Sequence, residues 1–358
     1  MKNKILIITP SFNLVGGVAN HYMGLGEHWT NDVRYQFYGK RHRIPAIITF
    51  GYDLLSYIFK LIFNRPQLVI INPSLRTYQL IRDGIYLAIA RVLKVEVITF
   101  FHGWDIDYAH KLKNNPRLFT YFYNKSLFVY VLASEFKKQL LEIGINCEIK
   151  LTTTKVSNKL LAEFDINKRD GKINSILFLG RIVKNKGIFI MLDAFKIIQK
   201  KHNEIELVVV GNGYDFDKAK RYVLDQKIDN VSFKGGLFGN EIIPQFSNSQ
   251  LYVLPSYHGE GMPTSVLEAM AFGMPVITRP LGGLNDFFES EVMGTLTESL
   301  DPKVYAFEIE KYLNNIEMTL KIAQFNHQYA NENFMANRVA QKIETDINDL
   351  YKEINGKS

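Results

Sequence analysis

The stretch Ser175-Ile176-Leu177-Phe178-Leu179-Gly180-Arg181, continued by Ile182-Val183-Lys184-Asn185-Lys186-Gly187, decides the fold. An apolar run of strand length meets a glycine turn, and residues 187–201 then have the length and spacing of a helix. The run is continuous rather than alternating, so both of its faces are covered, as in a parallel sheet. Working outward, strand-like runs recur at 205–211, 231–234, 251–255 and 275–278. Upstream they stand at 5–9, 68–72, 95–101 and 127–133, with a helical segment at 75–94. Strands alternating with helices argue for βαβ units. Two such series predict an α/β protein of two Rossmann-like, doubly wound domains. Residues 164–174 are polar and hold a glycine, as a linker would. The expected boundaries are therefore 1–168, 172–335 and a terminal helical segment, 336–358, polar on one side. Ligands of parallel sheets bind beyond the carboxyl ends of the strands, so a ligand is expected in a cleft between the domains.

Hydrophobic residues make up 47% of the 358 and charged residues 22%, which excludes wholesale disorder. A single cysteine, Cys147, excludes an intramolecular disulfide framework and fits a reducing compartment. The start, Met1-Lys2-Asn3-Lys4 then Ile5-Leu6-Ile7-Ile8, is basic then apolar, but Pro10 ends it early. It reads as a strand rather than a signal peptide, and no membrane-spanning helix is expected. Residues 1–170 carry 23 basic and 13 acidic side chains, net +10. The remainder carries 20 and 23, net −3, for a total of +7. A basic first half fits an anionic partner, or simply a solvated basic surface.

Three stretches carry candidate chemistry. Gly16-Gly17 follows the first strand and precedes a helix expected to begin near Ala19. Paired glycines let backbone N–H groups approach a phosphate at a helix amino end, although a plain tight turn has the same pattern. Arg181 and Lys186 flank the turn after the strand 175–180. There two fixed cations stabilise a departing diphosphate, or are merely surface charges on a loop. Glu260 and Glu268 lie eight residues apart, with Pro263 and Thr264 between them as a helix start and Thr264 its expected cap. Carboxylates accept paired hydrogen bonds from vicinal hydroxyls, as sugars and riboses present, while acidic residues also simply favour early helical turns.

The sequence from Glu260 to Glu268, running on through Ala269-Met270-Ala271-Phe272-Gly273-Met274-Pro275, resembles the E-x7-E signature of retaining glycosyltransferase family 4, which has the GT-B architecture. Leu179-Gly180-Arg181 with Lys186-Gly187 resembles its phosphate-binding Arg and Lys. Gly211-Asn212-Gly213 resembles its nucleotide-side turn, Gly282-Gly283 its later glycine loop, and Phe101-His102-Gly103 its histidine segment. The match is dense over 175–290 and patchy before it. The resemblance implies that Arg181 and Lys186 hold the donor diphosphate, Glu268 the ribose hydroxyls and Glu260 the donor sugar. It further implies Gly16 and Gly17 near the diphosphate, His102 near the transferred sugar, Asn212 and Gly213 near the nucleotide, and the last helix crossing back to the first domain. Departures are Met262 where many members have glycine, Ser249-Gln250 for a common Ala-Asp, and Asp286 for a glutamate.

The implied activity is transfer of a sugar, with retention, from a nucleotide-diphosphate-sugar to a glycan or polyprenyl-linked glycan acceptor in bacterial surface polysaccharide synthesis. No cofactor is expected beyond the donor as substrate, a UDP-sugar being favoured. Asp105-Ile106-Asp107 has the Asp-x-Asp form that holds a metal in another glycosyltransferase architecture. The cations already supply that charge, so no metal is expected. Lys40-Arg41-His42-Arg43 followed by the apolar 44–63 fits a helix resting on an anionic membrane, or one buried on the sheet. The expected location is cytoplasmic, peripheral on the inner membrane face. The alternatives are a nucleotide-sugar epimerase or phosphorylase on the same fold, or a non-catalytic nucleotide-sugar-binding protein. Nucleic acid is not an expected partner, since no recognition helix, zinc spacing or ribonucleoprotein aromatics are present.

Overall fold

A computed structural model of the chain describes residues 3–13, 16–39 and 46–356. Leu14 and Val15 of the first glycine loop, the segment Lys40 to Pro45, Met1 and Lys2, and Lys357 and Ser358 lie outside the described residues. The chain divides into two compact units. The first comprises residues 1–155, 259–262 and 336–358, and the second comprises 156–258 and 263–335.

The first unit holds β1 (Lys4–Pro10), β2 (Asp32–Tyr38), β3 (Leu68–Ile71), β4 (Glu96–Phe101), β5 (Phe128–Val131) and β6 (Glu148–Leu151), in the sheet order β2-β1-β3-β4-β5-β6. The second holds β7 (Ser175–Leu179), β8 (Glu206–Val210), β9 (Val231–Gly235), β10 (Leu251–Leu254), β11 (Val276–Thr278) and β12 (Gly294–Leu296), in the order β12-β11-β10-β7-β8-β9. Each ladder is parallel. Central strands are sealed on both faces: Ile5 to Ile8, Leu68 to Ile71 and Leu251 to Leu254 are all buried. That is the cause of their uninterrupted apolar sequence.

The four edge strands, β2, β6, β9 and β12, lack such runs, and β9 buries none of its residues. β2 alternates Asp32, Arg34 and Gln36 with Val33, Tyr35 and Phe37; β6 buries only Ile149; and β12 is three residues long. An edge strand has one neighbour, so its sequence need not be apolar throughout.

The strand order reverses direction between β1 and β3 in the first sheet and between β7 and β10 in the second. Ligands of open α/β sheets bind at such switch points, outside the carboxyl ends of the strands. The second sheet has the dinucleotide-fold order; the first has the flavodoxin-like one.

The polar stretch 164–174 is not a free linker, and the chain changes unit between Lys155 and Val156. Val156 donates its N–H to the Phe334 carbonyl at 2.7 Å. Phe164 meets the Phe272 ring edge-on, 4.8 Å between centroids, and the Arg169 guanidinium donates to the carbonyls of Phe246, Ser249 and Phe272. Burial lowers the Arg169 pKa to about 10. Asp165, Asn167, Lys168 and Asp170 are exposed, while Arg169 ties the segment to the carbonyl groups of the second unit. The last helix, Ala336–Gly356, groups with the first unit. There the buried Glu344 accepts from the backbone and side chains of both Thr30 and Asn31 at 2.6–2.9 Å.

The helix Ala46–Asn64 departs from the expectation of no spanning helix. Residues 47–64 have mean hydropathy 1.2, and length and composition alone would let this helix cross a membrane. Thr49, Asp53, Tyr57 and Leu61 are buried, and the Tyr57 hydroxyl donates to the Tyr86 carbonyl at 3.1 Å. Along the opposite face Ile48, Tyr52, Leu55, Phe59 and Phe63 are exposed among the described residues, at the three-to-four-residue spacing of one helical face.

Candidate functional site

In the second unit the candidate residues gather at the β7/β10 switch point. β7 ends at Leu179, and Gly180 and Arg181 follow it directly. The turn Lys184–Lys186 then leads through Gly187 into the helix Ile188–Ile198. Gly187 has φ +82°, and a Cβ there would lie 2.3 Å from the Pro255 carbonyl oxygen, so the position demands glycine and locks the lysine turn against the end of β10. Two further ties hold the same loops: the Tyr257 N–H donates to the Asn185 carbonyl at 2.9 Å, and the Asn185 amide meets His258 Nδ1 at 3.1 Å.

Arg181 is exposed and Lys186 half-buried. Burial, and secondly repulsion from Arg181, lower the Lys186 pKa to about 8. The Arg181 charge therefore reaches Lys186, the smaller of the two effects.

The turn at Gly211, Asn212 and Gly213 packs backbone to backbone on this loop. Gly211 has φ +133°, and its Cβ would fall 1.9 Å from the Gly180 oxygen; that of Gly213 would fall 2.2 Å from the Ile182 oxygen. Ile182 N–H donates to the Asn212 carbonyl at 3.0 Å. These glycines are required by close approach whether or not a nucleotide is bound. In the later loop, Gly282 has φ +48° and Gly283 is buried within the turn Gly282–Asp286.

Glu268 is half-buried on the helix Thr264–Ala271, whose residues Val266, Leu267, Ala269, Met270 and Ala271 are buried. Pro263, not Thr264, occupies the cap position, and no side chain caps the helix. Thr264 is already helical, so its hydroxyl cannot serve the amides of its own first turn. Glu268 lies near Tyr252, whose phenol is held well above its ordinary pKa by burial and, further down the order, by the Glu268 charge. The Tyr252 hydroxyl lies within hydrogen-bonding distance of Leu179 O (2.9 Å) and Ser265 Oγ (2.7 Å).

Glu260 is separated from this group: its segment, 259–262, belongs to the first unit. There Gly261 lies against the histidine loop, where an added Cβ would sit 2.7 Å from the His102 carbonyl. The E-x7-E pair is therefore divided between the two units.

In the first unit a polar cluster sits at the β1/β3 switch point. Asn72, just past β3, donates to the Ile8 carbonyl of β1 at 2.8 Å. Its Oδ1 accepts from the Tyr22 hydroxyl (2.7 Å) and meets His102 Nε2 at 3.1 Å. An accepting amide oxygen places the His102 proton on Nε2 and leaves Nδ1 as an acceptor. His102 stacks on Phe100 at 3.7 Å between centroids, and burial lowers its pKa to about 3, so the ring is neutral at working pH. His21 lies 5.0 Å from His102, ring to ring; it is buried, and neither of its nitrogens has a hydrogen-bond partner among the described residues. Asn72, Tyr22 and His21 belong to no motif in the sequence. Their one local signal is an asparagine closing an otherwise apolar strand.

Gly16 precedes the helix Gly17–Leu25 in extended backbone (φ −177°), and added Cβ atoms at Gly16 and Gly17 would meet nothing within 4 Å. Among the described residues, no close neighbour requires glycine at either position. Asp105 accepts from the Tyr108 N–H at 2.9 Å and caps the helix Ile106–Asn114, which accounts for one acid of the Asp-x-Asp pair structurally.

Residues 161–328 match the family model for glycosyl transferases group 1. That group 1 segment spans Arg181, Lys186, Gly211 to Gly213, Glu260, Glu268 and Gly282-Gly283. The capsular polysaccharide biosynthesis glycosyltransferase CapM of Staphylococcus aureus is 29% identical over 205 residues, 54% of this chain and 53% of CapM. The amylovoran biosynthesis glycosyltransferase AmsK of Erwinia amylovora is 24% identical over 224 residues, 60% of this chain and 54% of AmsK. The aligned region thus spans about half the length of these two relatives. Anabaena HepE, solved in complex with UDP, superposes with a TM-score of 0.76 at 17% identity, covering 97% of this chain and all of HepE. The fold is GT-B, two units each built on a parallel sheet.

Proposed function

We propose that the protein is a retaining, metal-independent glycosyltransferase of family 4, moving a sugar from a nucleotide-diphosphate-sugar, a UDP-sugar for preference, to a lipid-linked glycan. The observation that carries this reading is the position of Arg181 and Lys186 around the turn after β7, at the β7/β10 switch point and inside the segment that matches the group 1 family. CapM and AmsK, named for capsular polysaccharide and amylovoran biosynthesis, support a surface-polysaccharide role. HepE was solved with UDP-glucose as well as UDP, which supports the donor class.

As the bond between sugar and phosphate breaks, positive charge develops on the sugar and negative charge on the diphosphate. Arg181 and Lys186 stabilise the latter more in the transition state than in the ground state. The amides at Gly16 and Gly17, with no Cβ in the way, add donors at a helix amino end. Glu268 accepts from the ribose hydroxyls, with Asn212 and Gly213 beside the nucleotide and Gly282-Gly283 beyond it. His102, neutral, hydrogen-bonds the sugar, and Glu260 grips its hydroxyls. The acceptor hydroxyl attacks on the face the phosphate leaves, and a phosphate oxygen takes its proton.

The protein works at the cytoplasmic face of the membrane. The apolar face of the helix Ala46–Asn64, directly after Lys40, Arg41, His42 and Arg43 in sequence, supports docking on an anionic bilayer. A panel of nucleotide sugars screened by thermal shift, followed by product analysis with a labelled donor, tests the activity. Label that stays on the nucleotide as an epimer, or a donor panel without any stabilisation, overturns it. Flotation with phosphatidylglycerol vesicles tests the docking; failure to float at low salt removes that part.

A further inference from the structure

The first unit contains a second opening, away from the polar cluster at the β1/β3 switch point. It is a cavity of about 240 Å³ among the helices Thr77–Val92, Ile106–Asn114 and Arg117–Tyr123. Its floor is apolar: Leu80, Phe119 and Tyr123 are buried there, and the Tyr123 hydroxyl already donates to the Leu80 carbonyl at 2.9 Å. Ile81 and Leu118, both exposed, form its walls.

We infer that this cavity holds part of the hydrocarbon chain of an anionic, single-chain amphiphile; resting on the reading above, that amphiphile is the lipid carrier of the acceptor. Three observations point to this occupant. The first is size and polarity. A dry cavity of about 150 Å³ lined by aliphatic and aromatic side chains already takes up benzene, and this one is larger and equally apolar at its base. The second is charge. Lys111 lies on the rim with no carboxylate partner among the described residues, so an anionic head group above an inserted chain finds a cation there. The third is position. The helix Ala46–Asn64 packs against the helix Thr77–Val92, which in turn packs against Arg117–Tyr123, so the bare face with Leu55 (70% exposed) and Phe59 (59%) belongs to the same helical layer as the cavity. A chain leaving a bilayer on which that face rests meets an apolar receptacle in the same helical layer. A soluble sugar acceptor needs neither the apolar floor nor the unpartnered lysine.

The test is direct binding by the full chain, with decyl phosphate, decanol and inorganic phosphate as probes below their aggregation concentrations, followed by calorimetry. Decyl phosphate is expected to bind at one site per chain, decanol more weakly, and inorganic phosphate not measurably at this site. Leu118→Trp, which fills the mouth from an exposed position, is expected to weaken decyl phosphate at least tenfold; Ile81→Trp is a second filling variant should the first fold poorly. Lys111→Ala is expected to weaken decyl phosphate while leaving decanol unchanged. Thermal stabilisation by UDP, measured on the same samples, reports the donor site separately and should be equal in all variants. Decyl phosphate affinity that ignores both filling variants, or no binding to the unmodified chain, overturns the inference. Normal decyl phosphate binding without any response to nucleotides would instead overturn the donor reading and leave the cavity assignment standing.

Discussion

Replacing Lys186 with methionine is expected to make the unliganded protein more stable and nearly inactive. The lysine stands at about pKa 8 against an ordinary 10.5, chiefly through burial and then through Arg181. At neutral pH the charged form is therefore held at a cost of about 3 kcal/mol relative to the unfolded chain, since a tenfold change in proton affinity corresponds to about 1.4 kcal/mol. The sign follows from the direction. Below about pH 8 the lysine is protonated in both states and the cost is fully present. Between 8 and 10.5 only the unfolded chain binds the proton, so stability rises with pH and the cost disappears. Methionine keeps most of the volume without the charge, so the variant should melt higher at pH 7 by up to roughly 5–10 °C, and the gain should vanish near pH 10.5. UDP should raise the melting temperature of the unmodified protein far more than that of the variant, because the anion relieves the repulsion only where both cations stand. Differential scanning fluorimetry across pH 6.5–10.5, with and without UDP, reads all of this; turnover of a labelled donor should fall about a hundredfold or more. A variant that melts lower at pH 7, or that transfers sugar normally, refutes the assignment of Lys186 as a desolvated cation of the diphosphate site.

Gly213→Ala places a methyl group 2.2 Å from the Ile182 carbonyl oxygen, so the second unit should lose about 2 kcal/mol or more, read as a lowered midpoint in urea. Glu268→Gln should raise the donor KM about tenfold or more through weaker hydrogen bonds to hydroxyls, with an unchanged melting temperature. His102 has a folded pKa of about 3, depressed below the ordinary 6.5, so its neutral form contributes stability above 6.5 that is lost as pH falls toward 3. The pH–rate profile should accordingly show no histidine inflection between 5 and 8, and an inflection at 6.5 that disappears in His102→Gln would contradict the buried, neutral assignment. Glu344→Ala strips an acceptor from Thr30 and Asn31 and should cost the first unit about 2–3 kcal/mol, measured as a lower midpoint of its unfolding transition.

Central strands were legible in the sequence because burial on two faces is a local property: Ile5 to Ile8 or Leu251 to Leu254 must be apolar wherever the rest of the chain goes. The glycines were legible for a similar reason, although the structure assigns Gly211 and Gly213 to close backbone approach in the first instance. Three of the four edge strands, β2, β6 and β12, escaped. Asp32, Arg34 and Gln36 give β2 a polar face that composition cannot tell from a loop, and Arg169 made a buried tie look like a linker. The candidate cations were visible as a spacing, but their mutual repulsion was not, since it depends on how Gly187 folds the lysine turn onto Pro255.

Sequence alone thus determined the interior strands of both sheets and which residue types border their ends. The order in which strands join was settled elsewhere. That order creates the two switch points, brings Asn72, Tyr22 and His102 together from three separate segments, and assigns Glu260 and Glu268 to different units. Such convergence is non-local. It depends on hydrogen-bonded pairing between strands tens of residues apart, and no window of sequence contains both partners.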